Sequence, residues 1–160
     1  MTIRVGDKIP SVTLHHKTDA GVVEISTEDI FNGKKVVLFA LPGAFTPTCS
    51  AAHLPGYVVQ ADALKDKGVD SIVCLSVNDA FVMNAWGEQH NVEDRVMMIA
   101  DGSAHFTQAV GLDLDLGKGG MGIRSQRYAM IVNDGVVELL NVEAPMKFEV
   151  SDAETILRGL

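Results

Sequence analysis

The sequence predicts an α/β fold, with a central mixed β-sheet flanked by helices and an N-terminal β-hairpin extension. Three observations carry this. Continuous apolar runs at residues 36–41, 70–77 and 95–100 suit strands buried on both faces. Helical patterns fall between those runs. A strong hairpin turn, Asn133-Asp134-Gly135, joins two further strands near the C-terminus. The 160 residues suit one domain, 1–160, able to bury a core with no disulfide or metal staple.

The elements follow in chain order. Residues 11–17 and 21–25 read as short strands around Thr18-Asp19-Ala20. Ser26-Thr27-Glu28-Asp29 resembles a capping box opening a helical turn. After Lys34-Lys35 comes the apolar run 36–41, the predicted central strand. Residues 49–67 carry Leu54, Val58, Ala61 and Leu64 near helical spacing, and Pro55-Gly56 should kink the first turns. Residues 79–90 begin on an acidic cap and place Phe81, Ala85 and Trp86 on one face. Residues 103–110 form a shorter helix closed by Gly111. The acidic and apolar alternation around Asp113 and Asp115 reads as a solvated surface segment, and Gly117 to Gly122 as a flexible loop. Strands at 128–132 and 136–140 make the hairpin, and Ser151-Asp152-Ala153-Glu154 caps a final helix.

Composition excludes several function classes. Thirteen Lys+Arg against 21 Asp+Glu give a net charge of -8. That balance argues against nucleic-acid backbones, which need clustered positive charge, and against anionic membrane surfaces. Cys49 and Cys74 are too few for a disulfide framework, a zinc ribbon or an iron–sulfur cage. No cofactor or metal is expected, and the scattered His15, His16, His90 and His105 suggest no metal pair. The N-terminus lacks the apolar run of a signal peptide, so a reducing cytoplasmic setting is the expectation.

In open α/β sheets, sites lie beyond the carboxyl ends of the strands. Beyond the central strand lies Leu41-Pro42-Gly43-Ala44-Phe45-Thr46-Pro47-Thr48-Cys49-Ser50. A loop stiffened by two prolines delivers Cys49 to the first turn of a helix, with Thr48 placed as N-cap. The amides and positive dipole end of such a turn favour a thiolate, the nucleophilic form of cysteine.

Pro42, Thr46 and Cys49 match the P-x-x-x-T-x-x-C signature of peroxiredoxins. The longer string through His53-Leu54-Pro55-Gly56, residues 74–82, Trp86-Gly87 and Arg124 to Met130 resemble the type-5, peroxiredoxin II-like subfamily. The resemblance covers nearly the whole chain. It implies a thioredoxin-like fold and a thiol peroxidase acting on hydrogen peroxide and alkyl hydroperoxides. Cys49 would be oxidised to a sulfenic acid. Thr46 would hydrogen-bond the reacting oxygens, Pro42 would cover the sulfur, and Arg127 would stabilise the developing charge. Fixed donors aimed at charge that builds in the transition state lower the barrier, and an arginine donates without joining the proton balance.

Neighbouring residues carry further expectations. If the pairing is regular, period-two alternation puts Arg124 and Arg127 on opposite strand faces, so one of the two points at Cys49 and the motif selects Arg127; Arg124 still approaches if the loop before it bends. His53, four residues after Cys49, is expected to pack beside the site or to bond backbone; a Cys–His dyad is the alternative. Cys74 reads as a small core residue of a strand. Some type-5 members resolve the sulfenic acid with a second cysteine near the C-terminus, and residues 141–160 contain none. A one-cysteine cycle follows, resolved by an external thiol. In similar proteins that thiol is glutathione, often recycled by glutaredoxin, with thioredoxin as the alternative. Phe45 and Trp86 are candidate exposed groups that could serve partner binding by a redox sensor or holdase, or equally a homodimer interface. A non-enzymatic redox sensor or holdase switched at Cys49 is the competing function. A general thiol–disulfide oxidoreductase is disfavoured because Cys49 is followed by Ser50-Ala51-Ala52 rather than C-x-x-C.

Overall fold

A computed structural model describes residues 1–160. Strands β1 (Thr13–Thr18) and β2 (Gly21–Ser26) form the N-terminal hairpin. Then follow α1 (Thr27–Phe31), β3 (Lys35–Leu41), a π-helical turn (Cys49–His53) continuing into α2 (Leu54–Asp66), β4 (Ser71–Ser76), α3 (Ala80–Gln89), β5 (Met97–Ala100) and α4 (His105–Ala109). The chain ends with β6 (Asp113–Leu116), β7 (Gly122–Ser125), β8 (Tyr128–Asn133), β9 (Val136–Val142) and α5 (Ala153–Arg158).

Seven strands form one sheet in the order β2-β1-β5-β4-β3-β8-β9. The central pairs β3–β4 and β4–β5 are parallel, and the outer pairs are antiparallel. This is the mixed sheet that the sequence predicts. β3 shows why its apolar run is unbroken. Val37, Phe39 and Leu41 enter one core with residues of α2, α3 and α5, whereas Val36, Leu38 and Ala40 enter the other with residues of α1 and α4. A strand buried on both faces has no polar side to advertise.

α2 buries Leu54, Tyr57, Ala61 and Leu64, a helical stripe in which Tyr57 replaces the expected Val58. Its phenol ring stacks on Phe39 at 3.9 Å between centroids. On α3 the expected face is corrected. Asp79 caps the helix as predicted, but the buried side chains are Ala80, Met83, Trp86 and Gly87. Phe81 is 65% exposed and Ala85 is also outside, so of the expected three only Trp86 faces the sheet. Gly87 lets this face approach the sheet: a Cβ there would lie 2.8 Å from Met98 Cγ, so the helix packs backbone-close on β5.

Two loops differ from expectation. The segment 113–116 is not merely solvated surface: it is strand β6, paired antiparallel with β7 in a separate two-stranded sheet. The α4 helix starts at His105, with Ala104 before it in a left-handed conformation, φ 61°. Asp101 accepts the amides of Phe106 and Thr107 and caps this turn from a distance. The hairpin turn behaves as its sequence requires, with Asp134 at φ 48° and Gly135 at φ 78°.

Candidate active site around Cys49

The sheet topology builds the site. β8 runs antiparallel to β3, with Tyr128 opposite Ala40. The residues before β8 therefore arrive at the carboxyl end of β3, where the loop 42–48 begins. That is how Arg127 comes to lie next to Cys49, although 78 residues separate them in the chain.

The loop then enters its helix earlier than predicted. Thr48 already has helical backbone angles, φ -67° and ψ -36°, and makes no capping hydrogen bond. The helical turn opens at Pro47, and the Thr46 carbonyl accepts from the Ser50 amide at 2.9 Å. Proline suits a first helical position because its missing N–H would have no partner there. The irregularity assigned to Pro55-Gly56 appears one turn sooner. Pro55 cannot donate to a carbonyl four residues back, and Leu54 donates to Cys49, five back, giving the π turn. Cys49 and His53 are both buried in that turn.

Arg127 Nη2 donates to Cys49 Sγ at 3.0 Å, and Nη1 lies 2.8 Å from His53 Nδ1. His53 Nε2 is 3.1 Å from the Ser151 carbonyl, which can only accept, so Nε2 carries the proton and Nδ1 presents its lone pair to Arg127. Tyr57 donates its hydroxyl to the same carbonyl at 2.7 Å. Rings of Phe39 and Phe148 each lie 5.0 Å from the His53 ring. Burial, then the Arg127 charge, lowers the His53 pKa from an ordinary 6.5 to about 3, so it is neutral at physiological pH. Arg127 thus meets an uncharged acceptor on one nitrogen and the sulfur on the other. Its positive charge is not cancelled by a carboxylate at this contact. The expected backbone bond of His53 is present, its Cys–His pairing is replaced by a contact with Arg127, and no dyad forms.

The other expected residues divide. Pro42 lines the opening beside Arg127, and its carbonyl lies 3.5 Å from Arg124 Nη1. Of the two arginines only Arg127 meets the sulfur, but strand alternation is not the cause, because Arg127 lies between β7 and β8 rather than within a strand. Both guanidinium groups therefore reach this loop, Arg127 at the sulfur and Arg124 at its backbone. Gly43 admits the second: a Cβ there would stand 3.1 Å from Arg124 Nη1 and 3.2 Å from Thr46 Cγ2. The Thr46 hydroxyl donates to the Gly43 carbonyl at 2.6 Å. With its one proton committed, it offers lone pairs and is fitted to accept from an O–H group entering the site. Phe45 is 46% exposed, as expected of a surface group, but Trp86 is fully buried and donates to Ser50 Oγ at 3.0 Å.

A cavity of about 630 Å³ opens over Arg127, with Pro42 and Thr48 on one side. Leu114, Leu116, Pro145 and Phe148 supply much of its apolar wall. Cys74, by contrast, sits within β4, flanked by Phe39 of β3 and Met98 of β5, and burial followed by the neighbouring Cys49 pushes its thiol well above the usual range. Both cysteines are free thiols.

A family model described as Redoxin matches residues 4–157. The chain is 46% identical over 159 residues to Peroxiredoxin-2C of Arabidopsis thaliana, covering 99% of this chain and 98% of the relative. The chain belongs to the peroxiredoxin family. Peroxiredoxin-2E, chloroplastic, from the same plant is 47% identical over 99% of this chain and 70% of its own length. Among solved structures, reduced Prx3 in complex with H₂O₂ from Vibrio vulnificus superposes on this peroxiredoxin with a TM-score of 0.96, 59% identity and 99% coverage of both chains. The fold is thioredoxin-like, and the family's chemistry is that of antioxidant thiol peroxidases, which use thiol reductants and no prosthetic group.

Sequence reasoning missed Tyr57, Phe148, Ser151 and Glu143. Glu143 directly follows β9, and its carboxylate gathers the residues that close over His53. Nothing local marks it: it is one acidic residue in an ordinary tail, and its partners lie six to eight positions further on. Leu114 and Leu116 carry a signal, the two-residue alternation of a strand, but alternation with Asp113 and Asp115 suits a solvated segment equally well.

Proposed function

We propose that Cys49 is the peroxidatic residue of a one-cysteine cycle that reduces hydrogen peroxide and organic hydroperoxides, with Thr46, Pro42 and Arg127 completing the site. The observation that carries this is the Arg127 guanidinium 3.0 Å from the Cys49 sulfur. The thiolate attacks one peroxide oxygen; the O–O bond breaks, an S–O bond forms, and the other oxygen leaves as water or an alcohol after taking a proton. Cys49 is then a sulfenic acid. Arg127 faces the sulfur and the charge that builds beside it, and Thr46 accepts from the peroxide O–H. The cavity supports the wider substrate range. A water molecule's share of liquid volume is about 30 Å³, so 630 Å³ with apolar walls has room for an organic group.

The reductant is external: one thiol displaces the sulfenic oxygen as water to give a mixed disulfide, and a second thiol releases Cys49. Glutathione with glutaredoxin is favoured over thioredoxin. Cys74 within β4 supports an external resolving thiol, since a resolving partner must approach to a Cα separation below about 7 Å with suitable geometry, and a central strand cannot move alone. We place the protein in the reducing cytoplasm as a single-domain chain, and as a homodimer in which the exposed Phe45 serves the interface.

The test is intact mass after one equivalent of hydrogen peroxide with a sulfenic-acid trap, followed by turnover with each reductant. A trapped adduct at Cys49 and many equivalents consumed with glutathione and glutaredoxin are expected. A Cys49–Cys74 disulfide within one chain overturns the one-cysteine cycle. Consumption of a single equivalent with every reductant marks a sensor instead.

A further inference from the structure

The last strand and the last helix are joined by residues 143–152, and that connection folds around one carboxylate. Glu143 is only 7% exposed. It accepts the amides of Glu149 and Val150 at 2.9 Å, the amide of Ser151 at 2.8 Å and the Ser151 hydroxyl at 2.7 Å. Its own amide donates to the Arg127 carbonyl at 2.9 Å. One residue therefore holds Arg127 by the backbone and, by its side chain, the segment that leads back to the same arginine.

The return path has defined chemistry at each step. The Glu143 carboxylate fixes the Ser151 peptide. The Ser151 carbonyl accepts from His53 Nε2 and from Tyr57. That selects the imidazole tautomer whose Nδ1 lone pair faces Arg127 Nη1. The other tautomer would aim an N–H at a guanidinium N–H, two donors in contact. Phe148, carried by the same segment, lies against both His53 and Arg127, its ring centroid 5.8 Å from Arg127 Cζ. If the carboxylate is lost, three amides and a hydroxyl lose their acceptor together, and the carbonyl that orders His53 is free to shift.

We propose that Glu143 is a positioning residue for the thiol site, acting through Ser151 and His53 to hold the Arg127 guanidinium on the Cys49 sulfur. It touches neither sulfur nor peroxide. The effect on rate rests on the peroxidase reading above; the effect on His53 does not. Misplacement of a catalytic group by about 1 Å costs up to about a hundredfold in rate, and Arg127 hangs on this chain of hydrogen bonds.

The experiment compares wild type with E143Q, which keeps the shape and one acceptor oxygen but removes the charge. Two quantities are read: the rate constant with hydrogen peroxide, and the His53 tautomer from its ring ¹⁵N shifts. The wild type is expected to show a single Nε2–H tautomer. E143Q is expected to melt cooperatively, to show a mixed tautomer signal and to react at least about tenfold more slowly. A folded E143Q with wild-type tautomer and rate overturns the proposal. S151A, which deletes one donor to the carboxylate, gives a second route if E143Q does not fold. It is expected to move both readouts in the same direction by less, and wild-type values in both overturn the proposal equally. A wild-type chain that consumes no peroxide overturns the functional reading, while the His53 signal in E143Q still decides the positioning role.

Discussion

Cys49 and Cys74 are the two thiols of this chain, both fully buried, and they stand in opposite chemical circumstances. Cys74 is held in a central strand among hydrocarbon, where burial disfavours its ionised form. Cys49 meets a guanidinium at 3.0 Å, in an irregular helical turn beside a cavity. Burial alone therefore does not make a cysteine inert. What differs is whether the fold supplies a cation, and here it comes from the antiparallel entry of β8 beside β3, which brings Arg127 to the sulfur.

The largest expected effect breaks the comparison outright. Cys49→Ser abolishes peroxide consumption, while Cys74→Ser leaves turnover within about twofold of wild type and costs about 1–3 kcal/mol of stability, because it buries a hydroxyl among hydrocarbon. Peroxidase assays and thermal melts of the two variants check this. Loss of turnover in a folded Cys74→Ser would give that thiol a part in the cycle.

A smaller effect sharpens the role of charge at Cys49. Arg127→Ala lowers the peroxide rate by about 10²–10³-fold, the usual loss when one fixed donor to developing charge is removed. Arg127→Lys restores part of it, because an ammonium keeps the charge but cannot bridge sulfur and imidazole with two nitrogens. Competition kinetics against a reference peroxidase measure both. Equal rates in all three proteins would remove Arg127 from the chemistry.

The smallest effect concerns stability rather than rate. His53 is neutral when folded, with a pKa lowered by burial and by Arg127 to about 3, and takes up a proton near pH 6.5 when unfolded. Its contribution is complete above pH 6.5 and declines as the pH falls toward 3, by up to about 1.4 kcal/mol per pH unit. Glu143 acts lower down. Burial would raise its pKa, but the amides of Glu149, Val150 and Ser151 and the Ser151 hydroxyl outweigh that, so its stabilisation is lost only as the pH falls below its ordinary 4.5. Denaturant titrations between pH 4.5 and 6.5 therefore separate the His53 contribution from that of Glu143. His53→Gln should flatten the slope in that interval, and an unchanged slope would assign it to another group.

The sequence was most readable where one residue depends on its near neighbours. The apolar run of β3, the Asp79 cap and the Asn-Asp-Gly turn are set by local chemistry, and each stands where it was expected. Pro42, Thr46 and Cys49 share one short loop for the same reason, whereas Arg127 reaches the sulfur only through the pairing of β8 with β3. What escaped depends on distant partners. Trp86 is buried because Gly87 lets its helix approach β5, and periodicity alone does not reveal where a helix will be closest to its sheet. The alternation of Leu114 and Leu116 had the right period, but the partner strand that makes it β6 lies beyond a glycine loop. Glu143 could not be recognised, because an acceptor is defined by the donors that reach it.

The indole of Trp86 has an optical consequence. It is the only tryptophan in the chain, and its N–H is bound to Ser50, the residue next to Cys49. Indole emission responds to the loss of such a bond and to changes in nearby polarity. Oxidation at Cys49 that disturbs the first turn will therefore change the fluorescence of the whole protein. Oxidation of Cys49 can then be read from intrinsic fluorescence, without a label.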